Sequence, residues 1–342
     1  MGTIMKTTKY LAALLFMSLA IVGCSSSSAE LEVYNHHFFA MDTLVELTGH
    51  TDDPQKAEEA FQAAQKEVER LEKLLSAHIE GSDVYNITNN AGIEPVKVSE
   101  ETFNLLEKGK NYGEKTEGRF DITIGPLLEA YSWSNQVVPS EKEVEHLKEL
   151  VDYNKLVLDN EKNTAFLETE GMKLDLGAIA KGYIVDKAAE EMMEHGIKYG
   201  SVNGGGDVYL MDKPDGTPWR IGVQHPRMER GNFIGVVNTN SNSVVTSGDY
   251  ERYFMADDIR VHHIIDPKKG YPSQKIQSVT ISAPNATIAD TLSTALFNYD
   301  PEQAVDFVEE IDEVEVLIVD SEGNVFKSSN MKEKFQPNQS LE

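Results

Sequence analysis

Strand-forming segments follow one another through the second half of this chain, and this feature restricts its fold most. Short runs of β-branched and aromatic residues are separated by Gly and Pro turns between residues 155 and 320, with few helical segments among them. Strands joined by turns favour antiparallel pairing, whereas a doubly wound fold needs strands that alternate with helices. We therefore predict an α+β fold with mixed, largely antiparallel sheets and packed helices. The predicted strands are 155–159, 165–168, 200–202, 208–211, 219–224, 233–237, 261–265, 278–283 and 314–320.

Helical periodicity is present in several segments. Apolar residues recur every three or four positions between residues 57 and 75, and Asp53 followed by Pro54 suits the start of that helix. The segment from residue 330 onward is polar, and we expect it to be loose. Further helices are predicted at 99–112, from 140, at 178–195 and from about 287.

The charge of the chain limits its ligands. It has 342 residues and a formal net charge of −26, from 57 acidic and 31 basic side chains. A protein this acidic lacks the basic surface that sequence-independent nucleic-acid binding requires. A polyanionic ligand such as a dinucleotide therefore needs a local site made of a metal ion, backbone N–H groups or a few cations. The length allows one large domain or two closely packed ones.

The first 24 residues have the composition of an export signal. Lys6 and Lys9 precede an uncharged run of 13 residues, which at about 1.5 Å per residue is too short to span a bilayer. Cys24 follows this run and is the only cysteine, a pattern that favours lipidation, with an ordinary secretory signal or a short membrane anchor as alternatives. The predicted organisation is a lipoprotein signal peptide at 1–24, a flexible tether at 25–32, one folded domain at 33–330 and a polar tail at 331–342.

Two segments have the residue types of ligand-binding turns. The first, 118–127, carries an Arg-Phe-Asp sequence ahead of a Gly-Pro turn. The second, 174–182, contains a strand end, a turn and the start of a helix that includes Lys181. The N-terminus of a helix exposes N–H groups and a partial positive charge that favour phosphate. Each segment alone is also compatible with an ordinary turn.

Three consecutive glycines at 204–206 precede Asp207. Such a run suits backbone that must approach another group closely, and a tight hairpin is the alternative. The run is not a Walker loop, which needs Gly-Lys-Ser/Thr. It is not a Rossmann motif either, because a predicted strand rather than a helix follows.

Asp249 and His263 each lie at the end of a predicted apolar strand. Imidazole titrates near neutral pH, so His263 is the better acid–base candidate, with a structural histidine as the alternative. His262 and His263 are adjacent on a strand and therefore point to opposite faces. At most one of them faces a given site.

Asp290 and Thr294 are four residues apart in a predicted helix and therefore lie on one face. A carboxylate, a hydroxyl and a carbonyl from elsewhere make a hard-oxygen site suited to Mg²⁺. The alternative is a helix cap beside an exposed threonine. The sequence contains no Cys/His zinc pattern and no Gly-x-Ser-x-Gly motif.

These five segments, in this order and together with Met41-Asp42-Thr43, resemble the ApbE family of FAD:protein FMN transferases over residues 33–330. The resemblance implies an ApbE-like (T-fold-like) domain that binds FAD and Mg²⁺. It also implies that a threonine of an acceptor protein attacks the FMN phosphate, with release of AMP. By the same resemblance, the site residues are Met41 for the flavin, Arg119, Phe120 and Asp121 for an FAD-contacting loop, Asp175 and Lys181 for the nucleotide, Ile265 for the FAD pocket, Ala178 (through its carbonyl), Asp290 and Thr294 for Mg²⁺, and His263 as the base with Asp249 as a further candidate.

The sequence departs from the family pattern at two positions. His78 lies where the family often has a tyrosine that stacks on the cofactor, and histidine can stack with less area. Because some members with another residue here hydrolyse FAD, the balance between transfer and hydrolysis is open. Asp42 lies where glycine is more usual, which affects the turn.

The resemblance further implies an acceptor flavoprotein with a Ser/Thr flavinylation motif in a membrane electron-transfer system. With the predicted export signal and Cys24, we expect the enzyme outside the cytoplasm on a lipid anchor. An Mg²⁺-dependent FAD pyrophosphatase is the alternative among enzymes. A lipoprotein that binds flavin without turnover is the alternative in another class.

Overall fold

A computed structural model describes residues 31–338 of the chain. The predicted signal peptide, the lipidation candidate Cys24 and most of the predicted tether lie outside these residues. Glu32, the last residue of that tether, is already part of a strand. Within the described range, no helix is both long and apolar enough to cross a membrane.

An antiparallel sheet of eight strands is the largest element of the fold and confirms the predicted α+β class. The strands of the described region are β1 (Glu32–Ala40), β2 (Thr43–Thr51), β3 (Val96–Lys97), β4 (Leu156–Asp159), β5 (Thr164–Leu167), β6 (Tyr199–Gly204), β7 (Asp207–Leu210), β8 (Trp219–Gln224), β9 (Phe233–Thr239), β10 (Ser243–Gly248), β11 (Tyr253–Ala256), β12 (Ile259–His262), β13 (Ile276–Ala283), β14 (Glu315–Asp320), β15 (Val325–Lys327) and β16 (Phe335–Pro337). The large sheet has the order β1-β2-β6-β7-β10-β13-β14-β15, and all its neighbouring strands run antiparallel.

Three smaller antiparallel sheets accompany the large one. Their strand orders are β3-β5-β4, β16-β9-β8 and β11-β12. The last of these is a two-stranded ribbon that follows β10 directly in the chain. One face of the ribbon carries Phe254 and Val261, which are buried against Tyr131 and Trp133.

The predicted helices are present. The helices of the described region are α1 (Pro54–Leu75), α2 (Asp83–Asn89), α3 (Glu100–Lys115), α4 (Gly125–Ala130), α5 (Glu141–Lys148), α6 (Ala180–Glu194), α7 (Ala286–Leu296), α8 (Pro301–Glu309) and α9 (Ser329–Lys334). Asp53 accepts backbone N–H bonds at the start of α1, which confirms the predicted start of that helix, and Ser99 and Ser140 cap α3 and α5 in the same way. The helix α6 begins two residues later than predicted, because residues 177–179 form a turn first.

The apolar core contains two large clusters, and each includes the buried faces of a different set of helices. One cluster packs the buried face of α1, including Phe61 and Leu71, against α6 and strands β2 and β6. A second cluster packs α7 and α8 against β13 and β14, with Phe297 fully buried. The two sets meet where α6 crosses α7.

The crossing of α6 and α7 is held by close backbone approach and by a buried carboxylate. A Cβ atom at Gly182 would lie 2.3 Å from the Ala286 carbonyl oxygen, so only glycine fits there. Asp186 of α6 accepts the backbone N–H groups of Ala286 and Thr287 at 2.7 and 2.9 Å, and these belong to the first turn of α7. Residues of α6 and α7 near this crossing therefore have a fixed separation.

Two sequence expectations differ from the structure. The strand predicted at 261–265 ends at His262, because the backbone N–H of His263 bonds to the Arg252 carbonyl just outside the β11–β12 pairing. The segment expected to be loose from residue 330 forms α9 and β16 as far as it is described. Met331 and Phe335 are buried there beside β9, which supplies the apolar contacts that a polar composition concealed.

Candidate active site

Lys181 and Asp290 are brought together by the α6–α7 crossing, and Asp207 of β7 joins them. We call Lys181, Asp207 and Asp290 the lysine cluster. Lys181 Nζ lies 2.9 Å from Asp207 Oδ1, and the Gly182 N–H donates to Asp290 Oδ2 at 2.9 Å. Asp207 is 1% exposed and Asp290 is 4% exposed. Asp207 Oδ2 is buried without a hydrogen-bond partner in the described part of the chain.

The lysine cluster has two carboxyl groups for one ammonium group. Burial raises the pKa of Asp290 to about 8, and the nearby Asp207 adds to the increase while Lys181 opposes it. Burial also raises the pKa of Asp207, against the attraction of Lys181. Burial would lower the pKa of Lys181, but the charges of Asp207 and Asp290 raise it instead. The raised pKa values of the two carboxyl groups reflect the cost of ionising both beside a single ammonium group, a cost that a further cation would reduce.

The remaining predicted metal residues lie near this cluster. Thr294 is one helical turn after Asp290, and its hydroxyl lies 3.4 Å from Ser247 Oγ at the end of β10. Ala178 is in the turn that precedes α6, three residues before Lys181. Among residues 31–338 no group of three or more His, Cys, Asp or Glu side chains is arranged to hold a metal. The predicted site instead uses one carboxylate, one hydroxyl and one carbonyl.

The glycine run 204–206 forms the tight β6–β7 hairpin that places Asp207. Gly205 and Gly206 have φ of +66° and +103°, and a Cβ atom at Gly205 would lie 2.4 Å from Thr43 Oγ1. The glycine run therefore forms the tight hairpin and also lies close to another group, the Thr43 side chain. Met41 lies beside it, with Cε 3.4 Å from the position of a Gly204 Cβ.

His263 lies at the base of the β11–β12 ribbon and is partly exposed. Its Nδ1 is 3.3 Å from the Arg252 carbonyl oxygen, so Nδ1–H donates there in the tautomer that leaves Nε2 as an acceptor. Burial and the positive charge of Arg252 lower the pKa of His263 to about 3. By contrast, both ring nitrogens of the buried His262 have partners, the Ser273 carbonyl and the Ile264 N–H. Of these two histidines, His263 is the one with a ring nitrogen, Nε2, that has no hydrogen-bond partner among residues 31–338.

Asp249, the other base candidate, is held in an ion pair. Arg227 donates to both of its carboxylate oxygens at 2.7 Å, and Arg260 Nη1 lies 3.6 Å from Oδ1. We call Arg227, Asp249 and Arg260 the arginine cluster. The sequence did not suggest it, because Arg227 is 22 residues away in another loop.

The predicted FAD-contacting loop has mixed roles. Arg119 is partly exposed, with its guanidinium 4.3 Å over the Tyr299 ring. Asp121 accepts three bonds from Thr123 and Tyr153, so its carboxylate holds the local chain together. A groove of about 400 Å³ lies beside this loop, lined by Gly118, Asp121, Lys148, Tyr153 and Lys268 among others.

The other predicted cofactor residues occupy different environments. Asp175 bonds through its N–H to the Ile122 carbonyl at 2.8 Å, which joins the FAD-contacting loop to the turn before α6. Phe120 and Ile265 are each 3% exposed and pack in separate apolar clusters. His78 is exposed in the loop after α1.

Asp207 and Arg252 are site residues that the sequence analysis did not select. Asp207 was visible only as the residue after the glycine run, and its burial depends on pairing with β6 and β10. Arg252 is exposed, precedes β11 and supplies the carbonyl partner of His263. An exposed arginine outside a motif gives no sequence signal of such a contact.

Comparison with known proteins gives one consistent result. A sequence profile of the ApbE family matches residues 41–318. The chain is similar to the FAD:protein FMN transferase of Klebsiella pneumoniae, with 31% identity over 308 residues that cover 89% of this chain and 95% of the relative. The transferase of the same name from Treponema pallidum is 29% identical over 337 residues, 92% of each chain.

Solved structures agree with these sequence matches. The ApbE protein of Thermotoga maritima is 35% identical with a TM-score of 0.81, and the match covers 89% of this chain and 99% of that protein. The flavin transferase ApbE of Vibrio cholerae has a TM-score of 0.78 over 89% of this chain and 99% of its own. At 24% identity, that second likeness shows the fold alone.

Proposed function

Because this chain belongs to the ApbE family, we propose that it is an Mg²⁺-dependent enzyme that moves FMN from FAD to a threonine hydroxyl of an acceptor protein and releases AMP. Relatives that cover most of its length are named FAD:protein FMN transferases, and this similarity supports flavin transfer to a protein. The metal, the threonine and the release of AMP are the finer parts of the proposal.

The observation that carries the proposal is the charge balance of the lysine cluster. A buried carboxylate oxygen without a partner costs about 1–3 kcal/mol, and the cluster has one ammonium for two carboxylates. Hard-oxygen donors with excess negative charge are what Mg²⁺ requires. Asp290, the Thr294 hydroxyl and the Ala178 carbonyl would hold the ion. When bound, it would neutralise phosphate charge and polarise the bond to the leaving group.

The chain's own residues supply the remaining steps. Lys181 and the N–H groups at the start of α6 bind and orient the diphosphate. The oxygen of the acceptor hydroxyl forms a bond to the FMN phosphorus while the bond from that phosphorus to the AMP oxygen breaks. The hydroxyl proton moves to His263 Nε2, and AMP leaves. Burial lowers the pKa of His263, which leaves Nε2 unprotonated at neutral pH and also makes it a weaker proton acceptor than a free imidazole.

FAD hydrolysis to FMN and AMP is the second candidate, and the exposure of His78 favours it. If the ring at this position does not cover the flavin, water has easier access to the same phosphorus. The residues used are otherwise the same as in the transfer reaction. The acceptor and water therefore compete for one site.

We place the enzyme on a lipid anchor at Cys24, facing outside the cytoplasm, where a membrane-associated flavoprotein with a Ser/Thr flavinylation motif is the acceptor. The sequence of residues 1–24 supports this placement. Fractionation of cells that express the full chain tests it. A Cys24→Ser variant should leave the membrane fraction, and its retention there would count against lipidation.

Mass spectrometry of a threonine-containing acceptor domain is the direct test. The acceptor is incubated with residues 30–342 of this chain, FAD and Mg²⁺. We expect an added FMN-phosphoryl mass that is absent when EDTA is present. An unmodified acceptor beside accumulating FMN and AMP would instead identify a hydrolase.

A further inference from the structure

Asp249 lies directly after β10, where its carboxylate joins three segments of the chain. Its backbone N–H donates to the Gln277 carbonyl oxygen of β13 at 3.0 Å, and the residue is 6% exposed. Arg227, in the loop 225–232 between β8 and β9, supplies the two bonds of 2.7 Å. Arg260, at 3.6 Å, belongs to β12 of the ribbon. The arginine cluster therefore connects the ribbon to β10 and to that loop.

The same ribbon carries the proposed proton acceptor. The Arg260 guanidinium lies 4.0 Å over the ring of Tyr253 on β11, which ties the two strands together on one face. Immediately before β11, the Arg252 carbonyl accepts the His263 backbone N–H at 3.1 Å. A two-stranded ribbon is only marginally stable alone, so its position depends on the groups that attach it to the rest of the protein.

The geometry also shows why Asp249 itself is unsuited to accept a proton. Both carboxylate oxygens receive charge-assisted hydrogen bonds from one planar guanidinium, the strongest arrangement available to this pair of side chains. A proton from an acceptor hydroxyl would have to displace one of these bonds. A carboxylate in this setting orients its arginine partners.

We infer that Asp249 is a positioning residue: held by Arg227 of the loop 225–232, it fixes the β11–β12 ribbon through Arg260, and with it the direction of the His263 ring. The inference rests on the proposed function, in which His263 Nε2 accepts the proton of the acceptor hydroxyl. Asp249 acts without touching FAD or the acceptor. Its loss should lower the rate of the chemical step more than the binding of FAD.

A double-mutant cycle tests this coupling. For Asp249→Asn we expect kcat for flavin transfer to fall about 10- to 100-fold, with KM for FAD changed by less than about threefold. His263→Gln should lower kcat further, and the double variant should match His263→Gln alone. If the two effects multiply, Asp249 acts independently of His263 and the inference is overturned.

Two further variants separate positioning from loss of the fold. Glu251→Gln changes a carboxylate two residues away that pairs with Arg230 at the surface, and it should leave kcat unchanged. Arg260→Gln cuts the link to the ribbon and leaves the Arg227 pair intact, so it should lower kcat in the same direction as Asp249→Asn. Thermal unfolding of each variant shows whether it is folded. An Arg260→Gln variant with full kcat would overturn the inference.

An NMR titration of His263 tests the positioning without using the activity. In the wild-type protein its pKa of about 3 reflects burial, then the positive charges of Arg252, His262 and Lys181. When Asp249→Asn loosens the ribbon, the ring should gain water and its pKa should rise toward about 6.5. His263→Gln assigns the signal. If the wild type transfers no flavin but the shift occurs, the proposed function fails and the positioning stands. An unchanged pKa of His263 in the Asp249→Asn variant overturns the positioning inference.

Discussion

The lysine cluster and the arginine cluster both act on the histidine pair 262–263, and they have opposite charge balance. The lysine cluster has two carboxylates for one ammonium and leaves one buried oxygen without a partner in residues 31–338. The arginine cluster has two guanidiniums for one carboxylate, and both of its oxygens are bound. Lys181 contributes to the low pKa of His263, whereas Asp249 partly offsets the lowered pKa of His262.

This difference in charge balance distinguishes a cluster that can bind a further ligand from a cluster that stabilises the fold. An ion pair whose charges and hydrogen bonds are complete gains little from a further partner. A buried group of carboxylates with incomplete compensation gains much from a cation, because its electrostatic interactions are strong where water is excluded. The aspartates of both clusters are buried, so burial alone does not distinguish a binding site from a structural ion pair.

The largest effect should come from removing the charge of Asp290. In Asp290→Asn the amide oxygen can still accept the Gly182 N–H, so the α6–α7 crossing is retained. We expect flavin transfer to fall about 10³-fold or more, because the proposed Mg²⁺ site would lose a direct ligand. MgCl₂ should raise the thermal stability of the wild type but not that of this variant. Full transfer activity in this variant would show that Asp290 is not a ligand of a catalytic metal ion.

A smaller effect should come from Asp207→Asn, which leaves Lys181 with Asp290 alone. We expect Mg²⁺ to bind roughly tenfold more weakly, as measured by the concentration that gives half-maximal thermal stabilisation. Glu315→Gln is the matched control, because Glu315 is 4% exposed, pairs with Lys334 at 2.6 Å and also has an oxygen without a partner. Equal losses in the two variants would show that the effect is general to buried ion pairs.

The smallest effect concerns the pH dependence of stability. His263 has a pKa of about 3 when folded and about 6.5 when unfolded, so the unfolded chain binds more protons between these values. The contribution of His263 to the free energy of unfolding is complete above about pH 6.5 and is lost as the pH falls toward 3. The loss by pH 5 is roughly 1 kcal/mol after allowing for the partial exposure of the side chain. Thermal unfolding at pH 7 and pH 5 should show a smaller difference for His263→Gln than for the wild type or the exposed control His195→Gln. A difference as large as that of the wild type would contradict this assignment.

Local signals in the sequence were sufficient for several elements. The helix α1 was predictable from its apolar spacing and from Asp53 with Pro54, since a cap needs only residues within one turn. Asp290 and Thr294 were selected because their spacing places them on one helical face. The antiparallel class followed from strands separated by short turns.

The features that were not predicted from the sequence depend on contacts between residues far apart in the chain. The role of Asp249 depends on Arg227, which another hairpin delivers, so a strand-end aspartate was interpreted as a possible base. The hairpin of β1 and β2 was not predicted. Its turn places Met41 and Asp42 at φ of +53° and +56°, a conformation more usual for Gly or Asn. Ile265, which the family resemblance assigns to the FAD pocket, belongs to the apolar cluster beneath the ribbon.

The contact at Gly182 has a consequence for how this protein can vary. A methyl group there would meet backbone oxygen at 2.3 Å and Asp290 Cβ at 2.8 Å, and neither atom is the end of a flexible side chain. Any substitution must push α6 and α7 apart, and that displacement is carried to Lys181 and Asp290 alike. Every amino-acid replacement at this position therefore changes the distance between the turn proposed to bind the nucleotide and the helix proposed to bind the metal. A screen of random variants should recover glycine alone at this position.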